Sequence, residues 1–240
     1  MILEESYTLS NGVEIPKLGL GTWFISNKDA EQVVKEAVKI GYRHIDTAQA
    51  YRNESGVGDG VRNCGVKREE LFVTTKLDAG KKSYQEAAVS IDNILENCSI
   101  KPMVNQILAH ISNTPEELIQ YTKEKDILVE AYSPIGHGEL FKNEKIKEMA
   151  EKYNVSIPQL CIRYDLQLGL LPLPKSENPE HIKSNAEVDF TISKEDMEIL
   201  KNMEAIEDYG AASIMPVYGG GFDLKSIISY IFQRIASIFR

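Results

Sequence analysis

Cysteine is scarce in this chain. The 240 residues hold three, Cys64, Cys98 and Cys161, with no C-x-x-C pair among them. That excludes a disulfide framework and fits a reducing compartment. Long apolar runs are missing as well, none approaching the roughly 18 residues of a membrane span. The start, Met1-Ile2-Leu3-Glu4-Glu5, has no basic stretch followed by an apolar one. No secretory signal is read there, and the expected location is the cytoplasm. Basic charge is short: 27 Lys and Arg face 36 Asp and Glu, a net charge of −9, and the pI is near 5.1. Such a field repels a phosphate backbone, which removes nucleic acid from the expected partners. A dinucleotide fingerprint is absent too. Gly19-Leu20-Gly21 lacks a third glycine three residues on, and the Gly219 to Gly221 run follows no strand.

What remains is an ordinary globular composition, 42% hydrophobic and 26% charged, with chain enough for one large domain or two small ones. Asn11-Gly12 between Tyr7-Thr8-Leu9 and Val13-Glu14-Ile15 predicts a hairpin. Beyond it, apolar runs predict six buried strands over 18–23, 44–48, 71–77, 103–111, 127–133 and 170–176. Amphipathic helical stretches alternate with them. Residues 29–40 carry Ala30, Val33, Val34, Ala37 and Val38 on one face. Thr114-Pro115-Glu116-Glu117 reads as a cap residue with Pro at the first helical position. Ser193 to Asp196 reads as a capping-box-like start of a helix ending near Met203. This alternation means a parallel sheet, either open and doubly wound or closed as a (β/α) barrel. The last stretch differs. After Tyr218 and the glycine run, Leu224, Ile227, Ile228, Ile231, Ile235 and Ile238 recur at helical spacing, an amphipathic helix over 222–240 on a glycine hinge.

One constellation carries chemistry. The strand over 44–48 delivers Asp46, and the loop after it Tyr51, to the C-terminal mouth of the sheet, where Thr74-Thr75-Lys76 ends the next strand. Active sites of (β/α) barrels are built at that mouth. A free phenol, with a pKa near 10, is a poor proton donor at neutral pH. A neighbouring ammonium favours the phenolate, and a carboxylate keeps the ammonium charged and in place. The same residues also read as an ordinary inter-strand ion pair beside a tyrosine on a surface loop.

Gly41-Tyr42-Arg43-His44-Ile45-Asp46-Thr47-Ala48, followed by Tyr51, Asn53-Glu54 and Val57-Gly58, resembles the first signature of the aldo-keto reductase family position by position. Gly21-Thr22-Trp23 is similar to the end of that family's first strand, and Phe72 to Lys76 to its third. Asn105-Gln106-Ile107 resembles the sixth, Glu130-Ala131-Tyr132-Ser133-Pro134-Ile135-Gly136 the seventh, and Pro174-Lys175-Ser176 the eighth. The resemblance runs from about Tyr7 to Met203. It implies an NADPH-dependent carbonyl reductase on a TIM-type (β/α) barrel, without metal, acting on a small-molecule aldehyde or ketone by direct hydride transfer. It implies Tyr51 as proton donor, Lys76 as the group that lowers its pKa, and Asp46 as the support of Lys76. Tyr132 would stack on the nicotinamide, Gln106 would bond its carboxamide, and Ser133 to Gly136, with Ser133 and Pro134 foremost, would lie along the pyrophosphate. Lys175 and Ser176 would receive the 2′-phosphate near the helix after Pro179, with Gly21, Thr22 and Asn185 as further cofactor contacts. Trp23 would wall the substrate pocket; its other reading is a core or hairpin-packing tryptophan.

The resemblance breaks in the middle. The family has eight strands, and this chain offers six. Tyr84 to Ile91 runs straight into Asp92 to Pro102, and Ala87, Ala88, Ile91, Ile94, Leu95 and Cys98 keep one apolar face, as if two helices were fused in phase. About two βα units are absent, on the order of 50–60 residues at roughly 30 per βαβ unit. With them go the family's catalytic histidine and a nicotinamide-binding Ser-Asn. His110 lies too far past Gln106 to replace that histidine, and His44 and His137 read as structural or exposed. His181 stands where the family has an arginine for the 2′-phosphate, which weakens a preference for NADP. The expected architecture is an incomplete barrel over 1–205 with an N-terminal hairpin, then a tail over 206–240. The tail helix covers the gap, packs on the barrel exterior, or lies on a membrane surface, a contact its few charges do not favour. Raw strand edges make a monomer or weak homo-oligomer the expected state. Two functions stay open, a working reductase and a catalytically inactive nucleotide-binding or interaction protein.

Overall fold

Asn11 and Gly12 turn the chain as their pattern requires. Gly12 takes a φ of 82°, the Val13 N–H donates to Asn11 Oδ1 at 3.1 Å, and β1 (Ser6–Thr8) pairs antiparallel with β2 (Glu14–Pro16). The structure, a computed structural model, describes residues 1–76, 103–210 and 213. The fused helices with Cys98, the end of the third apolar run at Leu77, and the 222–240 helix with its glycine hinge lie outside the described residues.

Among the described residues, six parallel strands stand where the apolar runs place them, each shorter than its run. They are β3 (Leu20–Gly21), β4 (His44–Asp46), β5 (Phe72–Thr74), β6 (Val104–Leu108), β7 (Leu128–Tyr132) and β8 (Leu171–Leu173). β3, β4 and β5 form one sheet and β6, β7 and β8 another. Gly19 N–H to Pro172 O at 3.4 Å and Gly21 N–H to Pro174 O at 3.1 Å stitch the first parallel strand to the last. The order is therefore β5-β4-β3-β8-β7-β6, and among the described residues no backbone hydrogen bond joins β5 to β6. Yet Gln106 on β6 donates to Asp46 on β4 at 3.1 Å, and His44 on β4 lies 3.6 Å from Glu130 on β7. At ~4.8 Å per strand, side chains so far apart in a flat sheet cannot touch. The sheet curls on itself, which decides for the TIM-type arrangement over the open doubly wound one.

Helices cover the outside. α1 (Asn27–Ile40) starts at Ser26, whose side chain accepts from Asp29 N–H, and buries Ala30, Val33, Val34, Ala37 and Val38. α2 (Glu54–Asn63) sits so close to α1 that a Cβ on Gly56 would stand 2.1 Å from Asn27 O. α3 (Glu116–Glu124) has Pro115 at its N-cap with no side-chain cap. Thr114 does not cap it, because its hydroxyl meets Tyr164 Oη at 2.7 Å and donates to His110 O at 3.3 Å. α4 (Glu144–Lys152), α5 (Ile157–Gln167), α6 (Pro179–Ser184) and α7 (Lys194–Lys201) follow. α7 opens at Ser193, whose side chain accepts from Asp196 N–H. The hairpin forms the floor. Leu9 and Ile15 pack with Leu171 and Leu173, and Phe72 and Val104, from strands β5 and β6, rest on the same cluster. The opposite, C-terminal mouth is thus left for chemistry. Among the described residues no helix is long and apolar enough to cross a membrane.

Candidate active site

The site grows from the end of β4. Thr22 clamps that end by donating N–H at 3.0 Å and Oγ1–H at 2.9 Å to Asp46 O. Asn53, fully buried, donates to Thr22 O at 2.8 Å and Ile25 O at 3.0 Å, and accepts from Thr47 Oγ1 at 2.8 Å. One amide thereby fixes the loop that carries Tyr51.

Lys76, just past β5, is where the groups meet. Its Nζ donates to Asp46 Oδ1 at 2.6 Å, Thr47 O at 2.9 Å and Tyr51 Oη at 3.2 Å. Three ammonium donors find three acceptors. The arrangement is more than an inter-strand ion pair, since the half-buried phenol is its third member. Burial raises the Tyr51 pKa, and Asp46, Tyr132 and Glu130 push the same way. The lowering expected from Lys76 is therefore not the net effect, because desolvation outweighs one ammonium already matched by Asp46. The phenol stays protonated at neutral pH, as a donor must, and the Lys76 contact strengthens as charge develops on its oxygen. Asp46 is pushed up by burial against the pull of Lys76.

A cavity of about 1000 Å³ opens above these groups. It brings Asp46, Tyr51 and Lys76 together with Gly21, Thr22, Trp23, Gln106, Tyr132, Ser133, Pro134 and Lys175. Ser176 and Asn185 stand apart: Ser176 Oγ accepts from Asn178 N–H at 3.1 Å, and Asn185 is buried at the end of α6. Lys175 Nζ is paired with Glu177 Oε1 at 2.6 Å. Trp23 belongs to the wall rather than the core, its ring 6.2 Å from that of Tyr51 and edge-on to His137 at 5.3 Å. Gln106 commits both amide protons, to Asp46 Oδ2 at 3.1 Å and Glu130 Oε2 at 2.9 Å. Its Oε1 is then the atom that can accept from a ligand's carboxamide. His110 is off the site, held by Ile111 O and, at 3.0 Å, Tyr209 Oη. His44 is fully buried, and burial, reinforced by Lys76, lowers its pKa to about 3. His137, in contrast, lines the cavity. The sequence reading passed over Glu130 as a site residue. The signal for it is a lone carboxylate inside the apolar run Ile127-Leu128-Val129-Glu130-Ala131.

Set against known proteins, the sequence model of the Aldo/keto reductase family matches residues 17–103 and 87–205. A glyoxal reductase of Bacillus subtilis is 36% identical over 264 residues, taking in 87% of this chain and 96% of the relative. Only about 209 of the 240 residues enter that alignment, so about 55 of its 264 positions face no residue here. The crystal structure of an aldo-keto reductase from a Medee basin deep-sea metagenome library matches with a TM-score of 0.75 at 30% identity, over 83% of this chain and 95% of that one. Bombyx mori aldo-keto reductase, solved in complex with NADP, matches at 0.72 and 27% identity, over 89% and 98%.

Proposed function

This chain belongs to the aldo-keto reductase family and is an oxidoreductase, and from that premise we propose that it reduces an aldehyde or ketone to the alcohol with NADPH, Tyr51 giving the proton. The observation that carries this reading is the Lys76 ammonium set between Asp46 Oδ1 at 2.6 Å and Tyr51 Oη at 3.2 Å. The bound cofactor supplies a hydride. The chain's own residues do the rest. Trp23 and Tyr132 wall out water, Gln106 Oε1 and Ser133 offer polar atoms to the cofactor, and Lys76 neutralises the phenolate as the proton leaves. Asp46 keeps that ammonium in place. A positioned acid of this kind contributes ~10²–10⁴-fold to a rate.

Likeness to a glyoxal reductase directs the search for substrate to small, reactive aldehydes with a second oxygen. Lys175 supports NADPH over NADH, a preference restrained by its pairing with Glu177 at 2.6 Å. On the same reading, residues 1–205 are a barrel short of two strands, with β5 and β6 as its edges, and 206–240 a tail. The protein is cytoplasmic, a monomer or weak homo-oligomer.

The test is NADPH consumption by purified protein with glyoxal or a reactive aromatic aldehyde. Turnover that vanishes in Tyr51→Phe is expected, and equal rates overturn the assignment of Tyr51. One observation favours a second reading, an inactive nucleotide-binding protein: about 55 of the relative's 264 aligned positions have no counterpart here. That reading expects NADPH binding without turnover.

A further inference from the structure

Inside the curl, below Lys76, two carboxyl groups share one amide. Gln106 Nε2 donates to Asp46 Oδ2 at 3.1 Å and to Glu130 Oε2 at 2.9 Å. Both acids are buried, Asp46 2% exposed and Glu130 1%. Among the described residues the ammonium bound to this group is Lys76, on Asp46 Oδ1 at 2.6 Å. From β4, His44 Nε2 comes within 3.6 Å of Glu130 Oε1 while meeting Thr74 Oγ1 at 3.0 Å. Among the described residues Glu130 Oε1 and His44 Nδ1 have no hydrogen-bond partner. Gly19 makes room for the imidazole, since a Cβ there would stand 2.7 Å from His44 Nδ1.

Two buried carboxylates with one ammonium would leave a negative charge uncompensated where water cannot reach it. We propose that Glu130 is a positioning residue that keeps a proton facing His44 on Oε1, while its Oε2 holds the Gln106 amide nitrogen and so leaves Gln106 Oε1 toward the cavity. This rests on the reductase reading and deepens it. Protonated on Oε1, Glu130 accepts from Gln106 through Oε2 and adds no charge near the phenol. Ionised, it sets a second negative charge beside Asp46 and makes Tyr51 a weaker donor. The titratable groups that face it are His44 and Asp46 from β4, Lys76 from beyond β5, and Tyr51 from the loop after β4; its β8 neighbour is Leu171. Burial first, then Asp46, lifts the Glu130 carboxyl to about 7, so its ionisation falls in the working range.

Two readouts on the whole protein test this. The infrared carbonyl stretch of a buried protonated acid follows the proton itself. Trp23, the one indole, follows NADPH binding by quenching. The wild type should show an acid band that disappears as pH rises through about 7 and is missing from the isosteric Glu130→Gln. Asp165, fully buried with neither oxygen bonded, supplies a second band that both proteins share. Reductive kcat should fall by roughly 3- to 10-fold across the same pH range in the wild type and stay level in Glu130→Gln. Glu130→Ala, which leaves Gln106 only Asp46 as acceptor, should bind NADPH more weakly at every pH. No titrating band, or a pH profile that Glu130→Gln leaves unchanged, overturns the proposal. A titrating band in a protein without turnover overturns the reductase reading instead and leaves the proton on Glu130.

Discussion

The two halves of the curled sheet solve different problems. In β3 to β5 the functional atoms are fixed by a connected net: Asn53 holds Thr22 and Thr47, Thr22 holds Asp46, and Asp46 holds Lys76. In β6 to β8 the contribution is a broad face, with Tyr132, Ser133, Pro134 and Lys175 spread along the cavity. Proton transfer depends steeply on the placement of a few atoms, whereas grip on a large cofactor is shared among many contacts. On the proposed reading, a chain built this way keeps acid–base chemistry local and recognition distributed. The family's two matched stretches, 17–103 and 87–205, divide along nearly the same line.

The sharpest way to break this contrast is Lys76→Met. Turnover should fall by ~10²–10⁴-fold, while NADPH binding, read by Trp23 quenching, stays near the wild-type value. Equal losses in both would erase the distinction between the halves. Next comes Gly56→Ala, which drives a methyl into Asn27 O and levers α2 off α1. A loss of about 1–3 kcal/mol in a denaturant melt is expected, with kcat falling more than cofactor affinity because the Tyr51 loop leads into α2.

A subtler effect is the acid stability of the contact between the halves. His44 has its folded pKa lowered from 6.5 to about 3, and Glu130 has its own raised from 4.5 to about 7. Between 6.5 and 4.5 the unfolded chain holds the histidine proton and the folded chain the glutamate proton, so the two cancel. Below 4.5 the unfolded chain binds one proton more, and stability from this pair drops until about 3. In Glu130→Gln the cancellation is gone, and Tm relative to wild type should begin to fall already at about 6.5. Superimposed Tm–pH curves for the two proteins would refute this. The smallest effect belongs to the distributed half. Lys175→Ala should lower the preference for NADPH over NADH by only about 3- to 10-fold, measured as the ratio of kcat/KM values.

Much of this was legible in the residues. Six apolar runs marked six strands, and Asn11-Gly12 marked the hairpin. Asp46, Tyr51 and Lys76 could be brought together because strand ends in such a fold share one mouth. What stayed hidden depended on partners from elsewhere in the chain. Thr114 looks like a helix cap until Tyr164 claims its hydroxyl at 2.7 Å. Lys76 beside a phenol suggests a lowered pKa until burial is included, and burial reverses the sign. His44 and Glu130 become a pair only when the sheet curls, which no local pattern announces. Trp23 could be assigned to the wall only once its neighbours Tyr51 and His137 were in place.

The stitch from Gly19 and Gly21 to Pro172 and Pro174 also sets a timetable for synthesis. Asp46, Tyr51 and Lys76 leave the ribosome early, but β3 cannot gain its second neighbour until β8 has been made. The nascent chain therefore carries Asp46, Tyr51 and Lys76 through the synthesis of roughly a hundred further residues before β3 is paired on both sides. During that interval one side of β3 is open to strands of other chains, the usual hazard of long-range parallel pairing. A chain cut short before Leu170 would hold Asp46, Tyr51 and Lys76 without the strand that fixes the open side of β3.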